Sequence, residues 1–110
     1  LVIAPVPIVT GAVVRCRPVG MLRMQDEAGD DTKVLAVPVD KLSGLYREIE
    51  TPRDLPEAQL ASIAHFFEHY KDLEPGKWVK VQGWVGPEEA KREILAGVDG
   101  YRKAKKKPAF

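Results

Sequence analysis

The amino-acid sequence describes one small domain with almost no net charge. It has 110 residues, of which 45% are hydrophobic and 30% are charged, and its formal net charge is +1 at pH 7. This composition is typical of a globular protein, and so small a charge gives no field that would attract a nucleic acid or a membrane. Cys16 is the only cysteine, which excludes an internal disulfide and is consistent with a reducing cytoplasm.

The chain opens with an apolar segment that Pro5 and Pro7 interrupt. The segment is too short to span a bilayer, and it lacks the basic region and cleavage pattern of a signal peptide. Residues 1–3 instead predict the end of a buried strand, and without an initiating methionine we expect the natural start to lie further upstream. The two prolines then predict an extended connection that leads into a turn at Gly11.

Two β-rich runs follow this connection. Residues 12–24 form a long run that is interrupted by Pro18 and Gly20, and such a pair predicts a bulge or a bend. Long bent strands favour a small closed barrel over a flat sheet. Residues 34–37 predict a second strand, nearly continuously apolar, which Pro38 ends.

The acidic segment 26–33 lies between these runs, and we predict it to be a loop that carries the chemistry. Asp26 and Asp31 are five positions apart across a glycine, so both can turn inward while Glu27 and Asp30 face water. Such a concentration of carboxylates must be balanced by a hard cation or by a cationic ligand. The alternative is a solvated hairpin turn, because Asp and Gly are ordinary turn residues for local backbone reasons.

The second half of the chain predicts an irregular stretch followed by a helix, a strand and a second helix. Residues 39–56 predict a surface excursion with at most one helical turn. A helix is predicted to open at Pro56. Its apolar residues recur at three- and four-residue steps, namely at Leu60, Ile63, Ala64, Phe67 and Tyr70. Residues 77–85 alternate in the manner of a strand, and Pro87 opens the second helix.

Four stretches of the chain carry a family resemblance. They read RCRPVG at residues 15–20, MQDEAGDDTK at 24–33, AHFFEHYKDL at 64–73 and GKWVKV at 76–81. In these stretches the chain closely resembles the soluble inorganic pyrophosphatases of the bacterial single-domain type. The similarity extends over essentially all 110 residues without an obvious insertion or deletion, so it is far more specific than any short motif.

This resemblance implies one domain over residues 1–110. It implies a fold that is mainly β with α, in which an OB-like β-barrel, incomplete in this chain, is flanked by two helices. The implied activity is hydrolysis of inorganic pyrophosphate to two phosphates, with Mg²⁺ as cofactor. Asp26 and Asp31 match the metal-ligand aspartates of the family's acidic loop. The family's phosphate-binding residues are matched by Lys33, Tyr70 and Lys71.

The family's Asp-Gly-Asp-Pro-x-Asp segment is not among these residues. The resemblance implies that this segment, with further metal ligands and the carboxylate that activates water, lies upstream of Leu1. We therefore expect no catalytic base within this chain. The family's upstream arginine, lysine and tyrosine contacts to phosphate are absent as well. The isolated chain is expected to hold part of an active site, to have little activity and to aggregate through exposed strand edges.

The histidines of the first predicted helix allow two further interpretations. His65 and His69 complete an H-x-x-E-H pattern, which is typical of one class of zinc peptidases, although such an enzyme needs a further downstream ligand. The pyrophosphatase resemblance instead implies that this helix lies at a subunit contact of a hexamer. We expect His65, His69 and Asp72 at that contact, which protonation of the histidines should weaken.

The remaining signals favour structural roles. The basic tail at residues 102–107 could serve an oligonucleotide-binding OB-like module, but the run is short and a solvated helix end explains it. Trp78 and Trp84 are predicted to share one face of their strand, where core or interface packing is expected rather than base stacking. Arg15 and Arg17 are expected to be structural charge partners rather than phosphate ligands.

Overall fold

The structure is a computed structural model that describes residues 1–108, and its centre is one three-stranded antiparallel sheet. The strands are β1 (Cys16–Asp26), β2 (Gly29–Pro38) and β3 (Val79–Val85), the helices are α1 (Glu57–His69) and α2 (Pro87–Lys103), and two short 3-10 turns occupy Gly44–Tyr46 and Pro52–Asp54. The strands lie in the order β2-β1-β3. No helix within residues 1–108 is long and apolar enough to cross a membrane.

β1 and β2 form a hairpin whose turn has only two residues. Asp26 pairs with Gly29, and Gly29 has a φ of 123°, a left-handed value that favours glycine. The prediction that the whole acidic segment is a loop is therefore wrong, because residues 29–33 belong to β2 and the turn is limited to residues 27–28. Since so tight a turn fixes the register, each acidic side chain lies on a defined face of the sheet.

Two bulges interrupt the pairing of the central strand β1 with its neighbours. The first lies between Pro18 and Gly20 in the ladder with β2, which confirms the predicted bulge. The second lies in the ladder between β1 and β3, where β3 has one extra residue beside Gly83. Gly83 has a φ of 123°. The extra residue shifts the alternation of β3, so Trp84 packs against the core whereas Trp78 is 50% exposed. The two tryptophans therefore do not share one face as predicted.

α1 covers one face of the sheet and α2 covers the other. On the first face, Leu22 and Met24 pack against Phe67 of α1, and all three residues are buried. Side chains alternate between faces along a strand, so Thr32 lies on the second face. There its hydroxyl donates to a carboxylate oxygen of Glu93 in α2 at 3.3 Å. The sheet is therefore the middle layer between two helices.

The hydrophobic core consists of two clusters that meet at Trp84. One cluster lies near the bulge of β1 and consists of Val19, Leu35, Val37 and Leu55. The other lies beneath α1 and consists of Leu22, Met24 and Phe67. Trp84 packs against both clusters, so β3 joins the region beneath α1 to the region around the bulge.

Arg17 fastens the irregular stretch between β2 and α1. Its guanidinium donates to the backbone carbonyl oxygens of Ile49 at 2.5 Å, Tyr46 at 2.7 Å and Arg47 at 3.4 Å. The stretch contains two 3-10 turns, one more helical turn than predicted. Arg17 therefore has a structural role, but the prediction that it pairs with a charged group is wrong, because its partners are carbonyl oxygens.

The sheet is open in the part of the chain that the structure describes. β2 and β3 form its two edges, and Val2 adds a parallel bridge to Ala36 of β2. Three strands cannot close into a barrel, because closure requires more strands with a matching stagger. The predicted combination of β structure with two flanking helices is confirmed, but residues 1–108 do not form the predicted barrel.

Candidate active site

The charged residues singled out in the sequence meet at the hairpin end of the face that α1 covers. In the ladder between β1 and β2, Leu22 pairs with Lys33 and Met24 pairs with Asp31. Directly paired residues share a face of the sheet, and Asp26 lies two positions beyond Met24 on that same face. The face is therefore apolar beneath α1 and becomes charged toward the turn.

Asp26 and Lys71 form the more buried of two ion pairs at this end. The Nζ atom of Lys71 lies 2.7 Å from Oδ2 of Asp26, and the two side chains are only 14% and 11% exposed. The other carboxylate oxygen, Oδ1, accepts the backbone N–H of Ala28 at 2.8 Å. The Lys71 ammonium, and after it the N–H of Ala28, lowers the pKa of Asp26. The Asp26 carboxylate in turn raises the pKa of Lys71, so each group stabilises the charge of the other.

Asp31 and Lys33 form the second ion pair, on the neighbouring strand. The Nζ atom of Lys33 lies 2.6 Å and 2.8 Å from the two oxygens of Asp31. Lys33 also lies over the ring of Phe67, with its Nζ atom 5.7 Å from the ring centroid, which is a cation–π distance. Because Phe67 is a buried residue of α1, the packing of that helix positions this lysine.

Tyr70 connects the two ion pairs at the end of α1. Its ring lies edge-on to Phe67 with centroids 5.5 Å apart, and the Lys71 Nζ atom lies 5.5 Å from the Tyr70 ring centroid. Tyr70 is 42% exposed, so it is accessible to a ligand. We name as the polar cluster the five residues Asp26, Asp31, Lys33, Tyr70 and Lys71.

Glu27 and Asp30 are both exposed as predicted, but Glu27 also contacts the polar cluster. The Oε1 atom of Glu27 lies 3.8 Å from the Nζ atom of Lys71, and its Oε2 atom accepts the backbone N–H of Trp78 at 3.4 Å. Glu27 therefore faces the polar cluster. Asp30 is exposed as predicted, with an oxygen that accepts the side-chain amide of Gln25 at 3.0 Å. No local signal indicated the position of Glu27, because it depends on how the connection between α1 and β3 returns beside the turn.

Two carboxylates of the polar cluster could hold a metal ion. Within residues 1–108, no group of three or more His, Cys, Asp or Glu residues is arranged to hold a metal. Asp26 and Asp31 nevertheless fit Mg²⁺, which commonly binds through one or two carboxylates and completes its octahedron with water and phosphate oxygens. Each of these carboxylates has a lysine ammonium as its present counterion.

His65 and His69 lie on an exposed surface of α1. Their ring centroids are 4.4 Å apart, and Nδ1 of His69 lies 2.9 Å from Oδ2 of Asp72. The three residues predicted at a subunit contact are therefore neighbours on one surface. The zinc-peptidase interpretation gains no support, since no three His, Cys, Asp or Glu residues of the described chain are arranged to hold a metal ion.

The basic tail divides between the end of α2 and the residues that follow it. α2 ends at Lys103, whose Nζ atom lies 2.7 Å from Oδ2 of Asp99. The Nζ atom of Lys107 lies 5.4 Å from the ring centroid of Tyr101. These local contacts on exposed side chains are those of a solvated helix end.

The fold and the polar cluster bring two carboxylates, two ammonium groups and one phenol together at the hairpin end of the sheet. The family model described as inorganic pyrophosphatase matches residues 1–102. The chain is 58% identical over 107 residues to the inorganic pyrophosphatase of Escherichia coli (strain K12), an alignment that covers 97% of this chain. It is 54% identical over 106 residues to the inorganic pyrophosphatase of Aquifex pyrophilus, which covers 96% of this chain. The chain belongs to the inorganic pyrophosphatase family, which confirms the resemblance seen in the sequence.

Solved structures of similar proteins have the same fold over the matched region. The inorganic pyrophosphatase of Helicobacter pylori matches 93% of this chain with a TM-score of 0.89 and 42% identity. A structure named as an inorganic phosphatase of Anaplasma phagocytophilum matches 94% of this chain with a TM-score of 0.91 and 46% identity. This chain covers 60% of each of those two structures. It spans 59% of the Escherichia coli relative and 60% of the Aquifex pyrophilus relative.

Proposed function

We propose that the polar cluster takes part in the hydrolysis of inorganic pyrophosphate to two phosphates. The observation that carries this proposal is the pairing of Asp26 with Lys71 and of Asp31 with Lys33 on one face of the sheet. Membership of the inorganic pyrophosphatase family supports it. The alternative of an oligonucleotide-binding module has no support in the comparisons, since the relatives described above are named as inorganic pyrophosphatases or as an inorganic phosphatase.

The electrostatics of the substrate explain the need for the lysines. Pyrophosphate is highly anionic, so it repels an attacking hydroxide until positive charge surrounds its phosphoryl oxygens. Lys33 and Lys71 supply compact ammonium charges for this purpose. The hydroxyl of Tyr70 can donate a hydrogen bond to a phosphate oxygen. These three side chains are the proposed contacts to phosphate.

Asp26 and Asp31 are the proposed ligands of a divalent cation, which we propose to be Mg²⁺. Such an ion, when bound, lowers the pKa of a coordinated water and offsets the charge of phosphoryl oxygens. The two aspartates would hold this charge beside the lysines, while Phe67 supports Lys33 and Tyr70 from below. No general base is assigned among residues 1–108.

Mg²⁺-dependent binding of pyrophosphate, measured by calorimetry, tests this proposal. Asp31→Asn keeps the shape of the side chain but removes its charge, so we expect it to weaken binding by about tenfold or more. Asp30→Asn is the matched control, because Asp30 is exposed and lies one position away. Equal binding by Asp31→Asn and Asp30→Asn would contradict the proposed role. Salt-sensitive binding of an oligonucleotide that survives Asp31→Asn would support the binding module instead.

Phosphate release from pyrophosphate is the second measurement. We expect the 110-residue chain to release phosphate slowly, because the polar cluster offers two carboxylates for metal binding and no assigned general base. Whatever release occurs should require Mg²⁺ and should fall in Asp31→Asn but not in Asp30→Asn. Rapid release that does not depend on Asp31 would overturn the assignment of this site.

We propose further that the surface around His65, His69 and Asp72 is a subunit contact, in a hexamer by family resemblance. Protonation of both histidines would place two positive charges on rings whose centroids are 4.4 Å apart, within the pH range where imidazoles titrate. We expect a smaller particle at pH 5.5 than at pH 8, measured by size exclusion with light scattering. Identical sizes at both pH values would count against this contact.

Two finer features remain part of this proposal. The open sheet is proposed to be part of an OB-like barrel, on the support of the similar solved structures. A cytoplasmic location is proposed because Cys16 is a free thiol, which a reducing compartment preserves. Alkylation of Cys16 in freshly lysed cells, compared with an oxidised control, measures whether this thiol is reduced in vivo.

A further inference from the structure

The proposed function leaves Glu27 without a role, although its carboxylate faces the polar cluster. The Lys71 ammonium stands between two carboxylates, 2.7 Å from Asp26 Oδ2 and 3.8 Å from Glu27 Oε1. Glu27 is held in this position by the backbone N–H of Trp78, which donates to its Oε2 atom. Lys33 has one carboxylate partner within residues 1–108, which is Asp31, whereas Lys71 has two.

We propose that Lys71 moves between these two carboxylates, so that a divalent cation bound at Asp26 displaces the Lys71 ammonium onto Glu27, where the ammonium stays available to an anion. The inference rests on the cation site proposed at Asp26. Glu27 is then a positioning residue, which acts on the anion only through Lys71.

The short distances explain why a displacement is required. Both oxygens of Asp26 already accept hydrogen bonds, one from Lys71 and one from Ala28. A cation at Asp26 would therefore meet the ammonium of Lys71, and the like charges repel each other. With its side chain only 14% exposed, Lys71 would become a poorly solvated, unpaired charge unless another carboxylate received it, and such charges are costly.

Glu27 is within reach as the second partner. A movement of about 1 Å would bring the Lys71 Nζ atom from its present distance to a charge-assisted hydrogen bond with Glu27. The ammonium has three donors, so it can bind Glu27 and still donate to a phosphate oxygen. Glu27 would thus keep the lysine in the cluster after Asp26 has been occupied.

Binding of the cation, which accompanies the exchange, also changes the sign of the local charge. Asp26, Glu27 and Asp31 carry three negative charges and Lys33 and Lys71 carry two positive charges, which leaves a formal net charge of −1. One divalent cation changes this value to +1. An anion is therefore repelled before the exchange and attracted after it. Cation and anion must then raise each other's affinity by the same factor.

Calorimetry with inorganic phosphate and Mg²⁺ tests the exchange in the 110-residue chain. In the wild type we expect saturating Mg²⁺ to raise phosphate affinity by about 5-fold or more. Glu27→Gln should lower the phosphate affinity measured at saturating Mg²⁺, by roughly 3- to 10-fold, because Lys71 loses its second partner. A simple charge effect has the opposite sign, since removing a nearby negative charge would raise the affinity for an anion.

Glu74→Gln is the matched control for this measurement. Glu74 pairs with Lys77 at 3.6 Å on exposed side chains, so its substitution should leave phosphate affinity at saturating Mg²⁺ unchanged or slightly higher. Glu27→Asp keeps the charge on a shorter side chain and should restore part of the loss. Urea unfolding of each variant establishes that it is folded before binding is compared.

Lys71→Met gives an independent second test. Without phosphate, it should raise the affinity for Mg²⁺ by about 5-fold, because the competing ammonium is gone. It should also reduce the effect of Mg²⁺ on phosphate affinity to the part that the charge of the cation alone supplies. An ¹⁵N spectrum of the wild type should show the Lys71 ammonium signal shifting during a Mg²⁺ titration.

The failure of this inference can be told from the failure of the proposed function. Unchanged or higher phosphate affinity in Glu27→Gln would overturn the exchange, even in a chain that hydrolyses pyrophosphate. Absence of Mg²⁺ binding at millimolar concentration would overturn it as well. The expected loss in Glu27→Gln together with no phosphate release would leave the exchange standing and would count against hydrolysis by this chain.

Discussion

Close packing, rather than chemistry, determines the effect of a substitution at Gly20. An added Cβ atom would overlap the side chain of Pro52 and would lie 2.6 Å from the carbonyl oxygen of Val85. A backbone oxygen cannot easily move aside, so Gly20→Ala is expected to lower the free energy of unfolding by about 1–3 kcal/mol. Gly97→Ala is the control, because it meets open space within α2 and should stabilise the protein by about 0.5–1 kcal/mol. Urea unfolding of both variants measures the difference, and a neutral Gly20→Ala would contradict the packing seen here.

Asp26 should make stability depend on pH in the acidic range. Its pKa is lowered by the Lys71 ammonium and by the backbone N–H of Ala28. Such a carboxyl stabilises the folded state above its unfolded pKa of about 3.9, and this contribution is lost as the pH falls through the lower, folded value. The urea midpoint of the wild type should therefore fall more between pH 6 and pH 3 than that of Asp26→Asn. Asp40→Asn, at an exposed ion pair, should behave like the wild type.

Lys71 should make the stability of the folded state depend on pH in the alkaline range. Its pKa is raised by Asp26, so its contribution is complete below the unfolded pKa of about 10.4 and is lost only as the pH rises through the folded value. The ion pair is therefore fully formed at neutral pH. An Asp26→Asn variant with the same acid sensitivity as the wild type would contradict this account of the pair.

The identities of the residues in the polar cluster could be read from the sequence, but their partners could not. The family motif indicated Asp26, Asp31, Lys33, Tyr70 and Lys71. The pairing of each aspartate with a lysine depends on the two-residue turn that places β1 and β2 in register, and on the return of the chain after α1. The contacts of Glu27 with Lys71 and Trp78 have the same origin, because these residues are far away in the sequence.

Of the two helices, α1 is the one that contacts the polar cluster, through Phe67. This residue is 8% exposed, packs against Leu22 and Met24, and lies beneath the Lys33 ammonium. Phe67→Leu is expected to lower the free energy of unfolding by about 1–1.5 kcal/mol, because the smaller side chain fills the site less well. It should also weaken phosphate binding, since Lys33 loses its support.

Phe66→Leu is the matched control for that prediction. Phe66 precedes Phe67 in α1 but is 58% exposed, so its substitution should change stability by no more than about 0.5 kcal/mol. Urea unfolding and phosphate calorimetry on the two variants give the comparison. Equal losses of stability would show that α1 is not anchored through Phe67.

The order of the elements could be predicted, but not all of their boundaries and faces. Proline positions indicated where both helices begin, and the helical stripe indicated the buried side of α1. The composition of the acidic segment predicts a loop, because charged residues and glycine are common in loops. Gly29 instead closes the turn early, and the residues after it pair as β2. The predicted faces of β3 are wrong because a bulge at Gly83 adds one residue to the strand. Simple alternation of side chains cannot anticipate such a residue.

The molecule as a whole is less compact than a closed domain of its size. Its radius of gyration is 15.2 Å, whereas a compact domain of this length has a value of about 13 Å. Large apolar side chains also remain exposed, among them Val13 at 99%, Leu73 at 98% and Val9 at 77%. Val9 and Val13 lie in the segment before β1, and Leu73 lies in the connection between α1 and β3.

The free edge of β3 predicts self-association of the 110-residue chain. Within residues 1–108, β3 pairs on one side only, with β1, so the backbone groups on its other side can pair with another chain. Light scattering should show a mass that rises with protein concentration. Gln82→Lys adds a charge to the exposed surface of this strand and should reduce the association, because lysine on an edge strand opposes pairing. Gln59→Lys makes the same charge change on α1 and should have little effect.

The outcome distinguishes between the two surfaces that could bring copies of this chain together. A monomer at all concentrations that unfolds in one sharp cooperative transition would contradict association through the sheet edge. Association that persists in Gln82→Lys would place the contact elsewhere, and the histidine surface of α1 is then the surface to test. In that case the mass should fall as the pH is lowered from 8 to 5.5, because protonated histidines would repel each other at that contact, whereas backbone pairing involves no ionisable group.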